Sequence, residues 1–87
     1  MKKKILVVDD DPMVHDLMTR QFQKEGFRVS CASDGDEALE MAARLLPELI
    51  TMDIMMPNKN GWMALGKLKE NPKLASIPVI VVSSVGS

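Results

Sequence analysis

The chain has 87 residues, 46% hydrophobic and 26% charged, with a formal net charge of -1 and a single cysteine. The length allows one domain, the composition is that of an ordinary soluble globular chain, and the near-neutral charge marks no nucleic-acid or anionic-membrane surface. No apolar stretch approaches the roughly 20 residues of a membrane helix, no apolar run follows the N-terminal lysines, and Cys31 alone cannot build a disulfide framework, so a cytoplasmic chain is expected.

Lys2-Lys3-Lys4 is read as a solvated leader without a binding role. Ile5-Leu6-Val7-Val8 is too short and too β-branched for a helix, and its unbroken apolarity suits a strand buried on both faces. Asp11-Pro12 supplies an N-cap and a first-turn proline. Val14, Leu17, Met18, Gln21 and Phe22 then recur at helical spacing until Gly26, which predicts a first helix over about Pro12 to Glu25. His15 on this helix is expected to face solvent. Phe27, Val29 and Cys31 alternate with Arg28, Ser30 and Ala32, the half-exposed pattern of an edge strand, with Cys31 a small packed side chain.

Ser33-Asp34-Gly35 is turn chemistry, and Ala38, Leu39, Ala42 and Leu45 form the stripe of a second helix, about Asp36 to Leu45, closed by Pro47. Leu49 to Asp53 repeats the buried-strand pattern, and Met56 to Gly61 is a loop rich in turn formers. Trp62, Leu65 and Leu68 line a shorter third helix ending near Asn71-Pro72. Pro78 introduces a fourth apolar run, Val79 to Val82. The eight methionines are read as core filler.

Strands alternating with helices, β-α-β-α-β-α-β, imply an α/β fold: a parallel sheet with helices on both faces. Such sheets bind ligands at the carboxyl ends of their strands. Asp9, Asp10, Asp53 and Ser83 all fall there. Clustered carboxylates raise one another's pKa unless a cation or hydrogen bonds compensate. Mg²⁺ prefers oxygen ligands and is typically held by one or two carboxylates plus phosphate oxygens, and a carboxylate in such a site can itself accept a phosphoryl group as an acyl phosphate. Asp11 needs no role beyond its cap.

In these residues the chain resembles the receiver domain of two-component response regulators, a chemotaxis-regulator-like, flavodoxin-like fold. The resemblance is carried by Ile5-Leu6-Val7-Val8-Asp9-Asp10-Asp11-Pro12, Ser33-Asp34-Gly35-Asp36-Glu37-Ala38-Leu39, Met52-Asp53-Ile54-Met55-Met56-Pro57, Asn60-Gly61 and Ile77-Pro78-Val79-Ile80-Val81-Val82-Ser83, and it spans essentially the whole chain. It implies a sheet in the order 2-1-3-4 and Asp53 as the phospho-acceptor. It also implies Mg²⁺ held by Asp9, Asp10, Asp53 and the Met55 backbone carbonyl, and a Ser83 hydroxyl that hydrogen-bonds the phosphoryl group. The implied donor is a phosphohistidine on a sensor histidine kinase or phosphotransfer protein, or a small phosphodonor. The chain is not expected to be an enzyme in its own right, although family members catalyse their own phosphoryl transfer and dephosphorylation.

The family continues after strand four with a helix, a fifth strand ending in Lys-Pro and a last helix, none of which falls within residues 1–87. The receiver domain is therefore expected to be incomplete at its C-terminus. Strand four becomes an apolar edge, and a homo-oligomer, a domain-swapped dimer or completion by a partner fragment is expected through it. A structural or interaction module without signalling activity is the alternative reading. An acid-nucleophile phosphatase would require an aspartate at the position of Met55, and a nucleotide site would require a glycine-rich loop after strand one.

Overall fold

The computed structural model describes residues 2–54 and 61–82. Its elements run β1 (Lys4–Val8), α1 (Pro12–Lys24), β2 (Arg28–Ala32), α2 (Gly35–Leu45), β3 (Leu49–Asp53), α3 (Gly61–Glu70) and β4 (Val79–Val82). The four strands form one sheet in the order β2-β1-β3-β4, every pairing parallel. Order, element types and parallel pairing agree with expectation, and boundaries differ by a residue or so. Among the described residues no helix is long and apolar enough to cross a membrane.

Local chemistry sets the helix ends. Asp11 caps α1, its Oδ1 accepting the Met13 N–H at 2.9 Å, and Pro12 occupies the first turn, where its missing N–H has no intrahelical partner to lose. At the other end Gly26 adopts a φ of 89°. This lets its N–H reach the Gln23 carbonyl while the Phe27 N–H returns to that of Phe22, the paired bonds that close a helix over a left-handed residue. Phe22 and Phe27 then meet edge to face with ring centroids 6.2 Å apart. Asp34 caps α2 through the Glu37 N–H at 2.8 Å, and the Glu37 carboxylate reaches back to the Ser33 N–H at 2.7 Å. Helix α2 stops at Leu46, a leucine in the left-handed region at φ 49°, followed by Pro47.

The two faces of the sheet are covered unequally. On one, Leu6, Val8, Ala32, Ile50 and Met52 pack with Ala38 and Ala42 of α2, Ala64 and Leu68 of α3, and Leu74 and Ile77 from the turn before β4. Alanines on the inner side of α2 let it approach β1 and β2 closely, and Ala64 of α3 joins the same core. On the other face, where Ile5 and Val7 point by strand alternation, α1 packs over β1 and β2. Its inward stripe is Val14, His15, Met18, Thr19 and Phe22, and no residue of the helix is fully buried. Leu17 and Gln21, expected in the packed stripe, are exposed instead. The helix lies over the β1–β2 half of the sheet, which rotates its inner face toward positions 15 and 19 and turns 17 and 21 outward.

Register carries the same asymmetry to β4. Ile80 pairs with Thr51 and Val82 with Asp53 on the α1 side of the sheet, whereas Val79 packs against the larger core. Ile80, Val81 and Val82 are 52%, 39% and 39% exposed, which matches the apolar edge expected of strand four.

Helix α3 begins in van der Waals contact with the end of β3. A Cβ on Gly61 would lie 2.6 Å from the Ile54 Cα and 2.7 Å from the Asp53 carbonyl oxygen, both backbone atoms that cannot swing aside. Gly61→Ala is therefore expected to cost about 1–3 kcal/mol through backbone displacement. Urea denaturation reads this as a lowered midpoint, and an unchanged midpoint would show that the contact places no constraint on the fold.

Candidate functional site

Strands β1 and β3 are paired so that Val8 lies opposite Met52, which brings the next residues, Asp9 and Asp53, side by side at the carboxyl edge of the sheet. Both carboxylates are buried, at 8% and 6% exposure, and Asp10 is exposed beside them. One carboxylate oxygen from each of the three lies within 4.8 Å of the others. The structure thus brings together Asp9, Asp10 and Asp53 as expected. Met55 and Ser83 lie outside the described residues. Asp11 serves as the α1 cap and is not part of the cluster.

The first residues after β1 are held by backbone bonds. The Asp9 N–H donates to the Ala32 carbonyl at 3.0 Å, which extends the β1–β2 ladder by one residue. The Asp9 Oδ1 in turn accepts the Asp11 N–H at 2.9 Å and so folds the turn into α1 back over the acid. The structure corrects the expectation for His15. Its ring is half-buried, with Nε2 2.5 Å from the Asp9 carbonyl oxygen and 3.2 Å from that of Ala32. Both neighbours are acceptors, so Nε2 carries the proton. The sequence clue was present but weak: position 15 lies one turn beyond the Asp11 cap and shares a face with Thr19 and Phe22.

Burial pushes the Asp9 carboxyl above its ordinary value of 3.8, and the charges of Asp53 and Asp10 push it in the same direction. The Asp11 N–H and the nearby His15 act against this without reversing it. The folded chain therefore holds the Asp9 proton more tightly than the unfolded chain does. The stabilisation from that proton is complete below the unfolded value and is lost as pH rises through the folded one, which leaves the ionised Asp9 a cost at neutral pH without a bound cation. In EDTA, Asp9→Asn, which keeps an oxygen for the Asp11 N–H and is neutral at every pH, is expected to melt above wild type at pH 7. The difference should vanish toward about pH 3, where wild type is neutral there too. A lower melting temperature for the variant at pH 7 would contradict this electrostatic reading.

Comparison with known proteins agrees with this geometry. Over 85 residues, 98% of the chain, it is 41% identical to the response regulator PleD of Caulobacter vibrioides, and it spans only 19% of that protein's length. The N-terminal domain of a response regulator receiver protein from Methanoculleus marisnigri superposes with a TM-score of 0.86 at 38% identity, over 90% of this chain and 63% of that one. The chemotaxis response regulator CheY4 of Vibrio cholerae superposes with a TM-score of 0.91 at 25% identity, over 100% of this chain and 72% of that one. The family model described as the response regulator receiver domain matches residues 5–87, a span that runs from β1 past β4 and includes all three acids, and the chain accordingly belongs to that family.

Proposed function

We propose that this chain is a phospho-accepting receiver module of a two-component system, with Asp53 as the acceptor and Mg²⁺ as the metal. The observation that supports it best is the convergence of the Asp9, Asp10 and Asp53 oxygens within 4.8 Å at the carboxyl edge of a parallel sheet. The donor set suits the metal: all three ligands are hard oxygens, and Asp9 is held above its ordinary pKa by burial and by its acidic neighbours. Asp9, Asp10 and Asp53 would hold the ion, joined by the Met55 backbone carbonyl that the family resemblance implies. Bound there, a divalent cation neutralises the acids and draws charge from the phosphoryl oxygens during transfer.

The chain's own part in the reaction is positional. Asp53 ends a strand buried on both faces, so its carboxylate is fixed with one edge toward the cluster. An oxygen of Asp53 bonds to phosphorus as the bond from phosphorus to the donor nitrogen breaks, and the imidazole of the donor histidine leaves and takes up a proton. The product is an acyl phosphate, which water returns to the carboxylate and inorganic phosphate. A sensor histidine kinase or phosphotransfer protein is the proposed donor, and the Ser83 hydroxyl the proposed hydrogen-bond donor to the phosphoryl group. Self-catalysed transfer of this kind makes the module its own substrate and not an enzyme on others.

Incubation with acetyl phosphate and Mg²⁺, followed by intact-mass measurement, tests this reading. Wild type is expected to gain one phosphoryl group, Asp53→Asn none, and EDTA to abolish the gain. An unmodified wild type with Mg²⁺ present would refute it.

A second reading is favoured by one specific observation, the exposure of Ile80, Val81 and Val82 on a strand paired only along its β3 side among the described residues. A bare apolar strand edge is a template for pairing with another chain. Residues 1–87 as a polypeptide would then associate through β4, as a dimer or by exchange of elements. Sedimentation is expected to give a mass above the monomer, and Val81→Lys, which places a charge on that strand, to shift it toward the monomer. A monomeric wild type at high concentration would exclude assembly through this edge.

A further inference from the structure

His15 is the one ionisable side chain of α1 that turns inward, and its hydrogen bonds do not go to a side-chain carboxylate. Its Nε2–H instead meets the backbone carbonyls at the ends of β1 and β2, those of Asp9 and Ala32, at 2.5 and 3.2 Å. The Asp9 carbonyl belongs to the peptide that joins Asp9 to Asp10. A peptide is planar, so a donor that fixes the direction of its carbonyl also fixes the N–H of Asp10 and the backbone angles on either side. Asp10 is the exposed member of the cluster and has no surrounding core to orient it. The direction of its carboxylate rests on the backbone that carries it.

We propose that His15 is a positioning residue: by holding the Asp9–Asp10 peptide from α1, it aims the Asp10 carboxylate at the cation shared with Asp9 and Asp53. This rests on the metal reading given above. The Ala32 carbonyl adds a second constraint, because it accepts the Asp9 N–H from β1 as well as lying beside the ring. The imidazole thus ties α1 to the two strand ends at the point where the chain leaves the sheet. Side chains that orient metal ligands without touching the metal typically change affinity about 10–100-fold when they are removed. Other donors of similar reach should serve: the role requires an N–H at that position and not a charge.

Mg²⁺ titration followed by calorimetry, on wild type, His15→Phe, His15→Leu and His15→Gln, tests this, with thermal melting of each chain in EDTA as the measure of folding. Phenylalanine and leucine fill the space without a donor and are expected to weaken Mg²⁺ binding about tenfold. Glutamine, whose amide can donate to the same carbonyls, is expected to remain within about threefold of wild type. Val14→Ala, which loosens α1 beside His15 without removing a hydrogen bond to Asp9, is expected to lower the melting temperature and leave the affinity unchanged. Equal affinity in wild type and both donor-less variants would overturn the role of His15 alone. So would a loss in Val14→Ala as large as in His15→Phe, or a loss in His15→Gln equal to that in His15→Leu. A wild type that binds no Mg²⁺ would overturn this role together with the metal reading on which it rests.

Discussion

The pairing of β1 with β3 in parallel, Val8 against Met52, is the constraint on which the rest of the molecule depends. It places two buried carboxylates on adjacent strand ends, where their mutual repulsion is unfavourable in a low-dielectric setting. A one-residue slip of this register would exchange the inner and outer faces of β3 and move Ile50 and Met52 out of the core that Leu6 and Val8 share. Packing of the core and repulsion at the site are therefore inseparable. The sheet cannot bury its apolar residues without also bringing Asp9 and Asp53 together.

The energetic asymmetry of the sheet follows from the helices. Small inner residues on α2 and α3 allow a dense layer over one face, completed by Leu74 and Ile77, whereas α1 covers its face only over β1 and β2. Met13 and Leu17 remain exposed on α1, and Ile80 and Val82 remain exposed on the same side of the sheet. Exposed apolar side chains attract further apolar surface. The site lies along the boundary between the two faces, at the end of the well-packed strands β1 and β3, so its geometry is supported by the denser core while one flank stays open.

Much of the site could be read from the chain because its chemistry is written in short stretches. An apolar run ending in Asp9-Asp10, another ending in Asp53, and a cap followed by proline are each visible within a few residues. Asp11 serves as the cap that its place before Pro12 suggested, and Asp34 caps α2 in the same way. His15 was misread because hydrophobic periodicity counts a histidine as a polar side chain and assigns it to solvent. Its partners are backbone carbonyls, which leave no signature in side-chain pattern. Leu17 was misread for the opposite reason: its spacing fits a buried stripe, but the helix is rotated so that Val14, Met18 and Phe22 face the sheet without it.

Strand and helix order, the capping residues and the presence of acids at strand ends were determined by the sequence alone. Those properties depend on side-chain period, on φ preference and on hydrogen bonds that reach no more than a few residues along the chain. Only the tertiary structure decided which side of α1 turns inward, that Gly61 must lie against the backbone of Asp53 and Ile54, and that His15 reaches the carbonyl of Ala32, 17 positions away. Each of these results from the docking of one finished element on another. The angle of that docking is set by the summed packing of many side chains, which no single stretch of the chain contains.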